Sequence, residues 1–242
     1  MASEHDRSFI PALRFGWLTP LFDPVVALTT RERSSKSRVL ERARLQDGDN
    51  VLDVGCGTGT LAIAASSSGA PAAVVGLDAD PSILRRARSK AEDAGAEVRF
   101  DEAFSTEMPY DDAHFDVVMS TLFFHHLGDA DKRRTIAEVL RVLKPQGRLV
   151  VADIGRPRDP LMRLAVTPVQ LFDGRKTTSA NVAGKLPGLL DAGGFAGVAV
   201  RDRLRTPIGT LEVVTAERPV DRGVAAERPV DGGVTAERQV GG

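Results

Sequence analysis

Cysteine is almost missing from this chain, with one residue, Cys56, in 242. A lone thiol closes no intramolecular disulfide and is too few for a structural zinc site or a redox pair, so the sequence carries no mark of an oxidising compartment. Long apolar runs are missing too: no stretch approaches the roughly 18 residues that span a bilayer. The opening residues, with Glu4, His5, Asp6 and Arg7, hold no secretory core behind a basic start. The expected location is therefore cytoplasmic, with no membrane insertion. Nor is there an excess of one charge. Lys plus Arg is 32 against 33 Asp plus Glu, with a pI near 6.4, so no global field draws in nucleic acid or an anionic membrane. The 42% hydrophobic and 27% charged residues exclude collagen-like, wholly disordered and disulfide-stapled classes.

The length corresponds to between one and two domains. From Thr215 to Gly242 one ten-residue unit is written three times, as TAERPVDRGV, AAERPVDGGV and TAERQVGG. That period is too short for stacked helix-pair or propeller repeats and its only large apolar residue is Val, so 215–242 is expected to be a disordered tail. With the tail set aside, basic and acidic residues are equal in number. Residues 1–45 read as a helical segment whose Arg31, Arg33, Lys36, Arg38, Arg42 and Arg44 make a solvated face, since no aromatic interleaving supports a nucleic-acid groove.

Over 46–214 short β-branched runs alternate with helical patterns, the signature of an α/β domain with parallel strands. Candidate strands are 50–54, 73–77, 97–100, 115–120 and 148–152. Asp80 can cap a helix with Pro81 at its first position, carrying Ile83, Leu84, Ala87 and Ala91 at helical spacing before Gly95 stops it. Ile136, Val139, Leu140 and Leu143 form a second stripe, bounded by Asp131 and by Pro145 and Gly147. A third helix is expected over 181–192, then strands over 197–204 and 210–215. Their short connection cannot hold a crossover helix, so these last two strands should be antiparallel neighbours in a seven-stranded mixed sheet.

The informative segment is NVLDVGCGTGTLAIA, residues 50–64. A hydrophobic strand runs into Gly55, Gly57 and Gly59 and then a helix start, which lets a ligand lie against bare backbone at a helix N-terminus. Asp78 closes the next strand, where an acid can accept hydrogen bonds from ribose hydroxyls. A dinucleotide fingerprint needs Gly or Ala at position 60, and the residue is Thr60, so the spacing argues against a nicotinamide oxidoreductase. The pattern, with Asp53 two residues before the first glycine, resembles motif I of the class I S-adenosylmethionine-dependent methyltransferases. GLDADPSIL, MPYDDAHFDVVMSTLFFHHL and LRVLKPQGRLVVAD match further family segments in order, covering 50–153. Weaker similarity to the ubiquinone and menaquinone C-methyltransferases continues through LPGLLDAGGFAGVAV and GTLEVVTAERP. The resemblance implies a Rossmann-like, doubly wound sheet of order 3-2-1-4-5-7-6 with strand seven antiparallel.

It also implies roles for individual residues. Gly55, Gly57 and Gly59 would floor the site under the methionine part and ribose of S-adenosylmethionine, with Cys56 a small buried residue between them. Asp53 would hold the cofactor ammonium, directly or through water, by a charge-assisted bond. Asp78 would take the ribose hydroxyls, and Ala79 and Thr121, also at strand ends, would complete the cofactor set. Where many relatives carry an acid for the adenine amino group, this chain has Phe104. Either Phe104 covers the ring face while the Ser105 amide and side chain supply polar contacts, or Asp101 or Glu102 substitutes, or adenine is held less tightly.

A base is needed only if the acceptor must lose a proton. His125 and His126 follow strand four on the ligand-binding edge, with His126 the candidate and loop packing the competing role. Two adjacent histidines without an acidic set make no metal site. The segment FGWLTPLFD, with Phe15, Trp17 and Phe22, resembles the region that closes over cofactor and substrate. Leu161, Met162, Leu164, Val169, Leu171 and Phe172 make the stretch 154–185 apolar enough to line an acceptor pocket. The expected function is methyl transfer to a small apolar or aromatic metabolite such as a quinone, phenol, polyketide or lipid. No Asn-Pro-Pro-aromatic tetrapeptide or Pro-Cys nucleophile supports nucleic-acid methylation. The competing reading is a non-catalytic S-adenosylmethionine-binding or partner-binding protein, which the intact glycine loop and its acids disfavour.

Overall fold

The computed structural model describes residues 32–68, 71–167 and 182–220. Phe15, Trp17 and Phe22, the positions Val169, Leu171 and Phe172, and the repeats beyond Val220 lie outside the described residues. Helix α1, Glu32–Ala43, buries Ser35, Val39 and Ala43, one residue per turn on a single face. Then follow β1 (Asn50–Val54), α2 (Thr60–Ser66), β2 (Ala73–Asp78), α3 (Pro81–Asp93), β3 (Arg99–Glu102) and β4 (Phe115–Thr121). A 3-10 turn, Phe124–His126, leads to α4 (Asp129–Val142), β5 (Leu143–Ile154), α5 (Pro160–Ala165), α6 (Leu186–Ala192), β6 (Ala196–Thr206) and β7 (Gly209–Glu217).

The seven strands form one sheet in the order β3-β2-β1-β4-β5-β7-β6. The first five pair in parallel, whereas β7 runs antiparallel between β5 and β6. Both faces are buried, so the central strands are apolar on both sides and alternate residues feed two cores. Val51, Val117, Met119, Val150 and Ala152 meet α1, α2 and α3; Leu52, Val54, Val118, Leu149 and Val151 meet the α4 and α6 side. Helix α3 has the expected ends and stripe. The Asp80 carboxylate accepts from the Ser82 amide at 2.8 Å and Pro81 is the first helical residue, while Ile83, Leu84, Ala87 and Ala91 are all buried.

Some boundaries differ from the sequence expectation, each for a tertiary reason. Strand β3 lies two residues later than 97–100, because its parallel register with β2 carries through Asp78 opposite Glu102. Strand β5 starts at Leu143 instead of 148. Its first residues bulge around Gln146, at φ 64°, between Leu143 opposite Phe115 and Arg148 opposite Val117. The Gln146 amide donates to the Arg218 carbonyl, and the Arg218 amide donates to that of Gly147. Strand β7 thus runs into the first repeat unit, through Thr215, Ala216 and Glu217. Helix α6 is shorter than 181–192, beginning at Leu186.

Candidate active site

Strand β1 ends at Val54, and the chain reverses through Gly55 to Gly59 before α2 begins. The Gly55 and Cys56 amides both donate to the Leu77 carbonyl, at 2.8 and 3.0 Å, tying the turn to the end of β2. Gly55, Gly57 and Gly59 have φ of 69°, 54° and 72°, the left-handed region that favours glycine. They differ in what a side chain would meet. A Cβ at Gly55 would run into the Phe123 ring, and one at Gly59 would come within 2.7 Å of the Phe100 ring. At Gly57 nothing of the protein lies within 4 Å, so its bare backbone faces open space. Two glycines fit their neighbours, and the third leaves room for a ligand.

Asp53 stands behind this loop, 1% exposed, and neither carboxylate oxygen has a hydrogen-bond partner among the described residues. Burial pushes its pKa up to about 7, against the pull of the Lys36 ammonium and the Ala62 amide. An orphaned buried carboxylate is costly, so the position is suited to an incoming cation or donor. Asp78 instead is partly satisfied: Oδ2 accepts from the Gly57 amide at 2.9 Å and Oδ1 from the Asp80 amide at 3.0 Å. Each oxygen keeps a further lone pair. Burial raises its pKa, opposed by those amides. The Cys56 thiol is buried and is pushed well above its usual range by desolvation and by Asp53 and Asp78, which makes it a poor nucleophile.

Ala79 and Thr121 follow at the ends of β2 and β4, so the predicted cofactor set gathers at the carboxyl edge of the sheet. Phe104 lies just beyond β3 with 39% of its surface exposed. The Ser105 hydroxyl is turned inward and shares a 2.8 Å hydrogen bond with Thr135 of α4. Asp101 is engaged by the Tyr110 hydroxyl at 3.1 Å and by Arg99 at 3.0 Å. Two of the polar side chains expected at the adenine position are therefore already engaged, Asp101 by Tyr110 and Arg99 and the Ser105 hydroxyl by Thr135, so the expected Ser105 side-chain contact gives way to its backbone amide.

The paired histidines separate into two environments. His125 is buried, its Nδ1 2.7 Å from Asp153 Oδ1, and its amide donates to Asp153 Oδ2 at 3.1 Å. Asp153 also accepts from the Ile154 amide at 2.7 Å. Burial works against its ionisation, but His125 and the amides outweigh it and hold the pKa below the usual carboxylate range. His126 is exposed, with its ring centroid 3.9 Å from that of His125 and the planes tilted by 40°. Desolvation by the protein atoms around it, then His125, push its pKa down from 6.5. Water on the open side of the ring limits that desolvation, the net direction stays downward, and the ring is neutral at pH 7. Sequence reasoning missed two members of this cluster: Asp153, and Lys132, a buried ammonium that donates to the Leu127 carbonyl at 2.6 Å. The readable signal for Asp153 was a lone carboxylate closing the apolar run Leu149 to Ala152, as Asp53 and Asp78 close theirs. Among the described residues no group of three or more His, Cys, Asp or Glu could hold a metal ion.

Residues 51–147 match the family model described as a methyltransferase domain. A ubiquinone/menaquinone biosynthesis C-methyltransferase of Ectopseudomonas mendocina is 31% identical over 190 residues, 77% of this chain and 71% of that protein. The chain belongs to the class I S-adenosylmethionine-dependent methyltransferases. A demethylmenaquinone methyltransferase of Thermus thermophilus is 39% identical over 122 residues, covering 50% of this methyltransferase and about half, 54%, of the Thermus protein. The fold is shared with the crystal structure of a Methanosarcina mazei protein described as a S-adenosylmethionine-dependent methyltransferase, with a TM-score of 0.58 and 22% identity over 76% of this chain and 98% of that one. The family cofactor fits the residues present. The methyltransferase offers an unpartnered buried carboxylate at Asp53 for a cation and an open backbone cradle at Gly57. No helix among the described residues is long and apolar enough to cross a membrane.

Proposed function

We propose that this methyltransferase moves a methyl group from S-adenosylmethionine to a small apolar or aromatic acceptor of the quinol or phenol class. The observation that carries the cofactor half is Asp53, buried without a partner beside the glycine loop. Asp53 holds the ammonium, Gly57 gives the ligand access to bare backbone, and Asp78 accepts from the ribose hydroxyls while its other lone pairs keep the Gly57 and Asp80 amides in place. Phe104 covers the adenine face, with Ala79 and Thr121 at its margins and the Ser105 backbone at its edge. When bound, the sulfonium supplies an electrophilic methyl group, so the protein's task is alignment and desolvation.

Three features support the acceptor half. The relatives are named for quinone intermediates. Helix α5 exposes Leu161 and Leu164 and buries Met162, an apolar surface next to the end of β5. His126, neutral and open on one side, can take the proton of a hydroxyl or an activated ring carbon, with the Asp153–His125 pair fixing the turn that carries it. The test is calorimetric titration with S-adenosylmethionine and S-adenosylhomocysteine, followed by a screen of quinols and phenols for methylated product. Micromolar binding of both and product from an aromatic hydroxyl acceptor are expected. Binding without product from any acceptor would leave a non-catalytic cofactor binder, and no binding to folded protein would end the reading.

A further inference from the structure

Four arginines converge far from the site described above. Arg42 and Arg44 at the end of α1, Arg148 on β5 and Arg201 on β6 line a cleft of about 170 Å³ whose wall is completed by Thr215 and Glu217 of β7. Arg148 precedes the carboxyl end of β5 at Ile154 by six residues, which at about 3.3 Å per residue is roughly 20 Å of strand. The cleft therefore opens at the opposite edge of the sheet from the glycine loop. This concentration occurs in a chain of net charge −1.

Three of the four guanidinium groups, those of Arg42, Arg148 and Arg201, are held by side-chain partners. Asp202 accepts from Arg42 Nε and Nη2 at 2.8 and 3.1 Å, leaving Nη1 uncommitted in that pair. Asp49 accepts from Arg148 Nη2 at 2.6 Å, while Arg148 Nε is buried with no hydrogen-bond partner among the described residues. Arg201 Nε donates to the Thr215 hydroxyl at 3.0 Å, leaving both Nη groups uncommitted in that contact. The two aspartates sit outside the lining and splint the arginines from behind, so ordering them costs little when an anion enters. Among the described lining residues Glu217 is the one carboxylate, and Asp202 and Asp49 pair with two of the four guanidinium groups, Arg42 and Arg148. Planar forks of this kind match a tetrahedral oxyanion better than a chloride ion.

We propose that this cleft is an anion site for a single phosphoryl group, separate from the methyl-transfer site. Its occupant is inorganic phosphate or the phosphoryl end of a phosphomonoester, and it makes no contact with the bound cofactor.

The experiment titrates the full chain calorimetrically with inorganic phosphate and with phenyl phosphate, each against chloride at matched ionic strength. The variants are Arg44→Gly, Arg201→Ala and the pair. Arg44 ends α1 with φ 49°, a left-handed position where glycine is relaxed, so Arg44→Gly removes the charge without straining the fold. Saturable binding at one site per chain is expected, about threefold weaker in Arg44→Gly and at least tenfold weaker in the pair. The melting temperature without phosphate and the S-adenosylmethionine affinity should be unchanged, which separates failure here from failure of the methyltransferase reading. Binding of phosphate alone assigns the free anion, and equal binding of phenyl phosphate assigns the monoester. Equal heats with chloride, or wild-type binding in Arg44→Gly, overturn the proposal.

Discussion

With the cofactor ammonium held by Asp53, as proposed, cofactor binding is a proton-linked event of definite sign. The Asp53 pKa stands at about 7 in the folded chain against an ordinary 3.8, with burial as the main cause. Below about pH 4 the group is protonated whether the chain is folded or not, and the folded form incurs no cost. As the pH rises from 4 towards 7 the unfolded chain releases this proton while the folded chain keeps it. The stability the protonated group contributes is thus lost over that window, by about 4 kcal/mol in total at 1.36 kcal/mol per pH unit. An ammonium placed against Asp53 reverses the burden by favouring the carboxylate. At pH 6, where an α-amino group is still protonated, S-adenosylmethionine binding should release close to one proton. The association constant should rise nearly tenfold per pH unit between pH 5 and 6.5 and level off above 7. Calorimetry in buffers of different ionisation enthalpy measures the proton directly. Asp53→Asn should abolish both the release and the slope and weaken binding at pH 7.5 by roughly 1.5 to 3 kcal/mol, the range for a hydrogen bond to a charged group. A wild-type affinity flat from pH 5 to 7, or a slope that survives in Asp53→Asn, would refute the assignment of the ammonium to this carboxylate.

The glycine loop makes a paired prediction: Gly57→Ala should cost the fold only about 1 to 2 kcal/mol for its left-handed backbone yet abolish measurable cofactor binding, whereas Gly55→Ala should unfold at distinctly lower urea, because its Cβ meets Phe123. Comparable urea midpoints for the two would contradict that division. Asp153→Ala removes one partner of a buried pair and should lose about 3 to 5 kcal/mol in urea titration. Because Asp153 titrates below its ordinary range when folded, its contribution is present above about pH 4 and lost as the pH falls further, so the wild type should show a steeper acid transition than Asp153→Asn. Arg218 donates to the Arg141 and Leu143 carbonyls at 2.9 and 2.6 Å, and Arg218→Ala should lower the melting temperature by several degrees, a change that a disposable repeat residue would not produce.

Much of the fold was readable because the local signals agree with one another. The short β-branched runs Asn50–Val54 and Ala73–Asp78, the Asp80 cap and Pro81, and the short connection between the last two strands each dictate one local step, and the steps combine into a single topology. The misplaced boundaries lie where a partner strand overrides local preference. Leu143 is expected on the helix stripe, with Pro145 and Gly147 as its stop; instead α4 ends at Val142 and Leu143 opens a bulged strand, to which Arg218, one residue past β7, hydrogen-bonds. That contact joins residues more than seventy positions apart, and no periodicity encodes it. Composition alone assigned Thr215, Ala216 and Glu217 to a tail because their sequence is that of the later repeats, whereas pairing with β5 on one side and β6 on the other makes them part of a strand.

The site divides along the same line. Asp53 was legible because a carboxylate near the end of an apolar strand in front of glycines has few structural reasons to be there, and Asp78 because it closes the next strand. What sequence could not show is that the two differ, one satisfied by the Gly57 and Asp80 amides and the other left without a partner. That difference comes from where the loop turns, and it decides which acid is open to a cation. The histidines follow the same logic in reverse. Sequence reasoning favours His126 over its neighbour without a contact to separate them; the 3-10 turn brings His125 onto Asp153, 28 residues away, and leaves His126 exposed. Burial commits His125 to holding the loop, and exposure leaves His126 as the ring able to meet an acceptor. The arginine cleft takes this furthest, since its four members sit on three elements and each alone reads as an ordinary surface charge. Chemistry that depends on one residue and its neighbours in the chain can be read from sequence, whereas chemistry that depends on which groups are already satisfied needs the packed molecule.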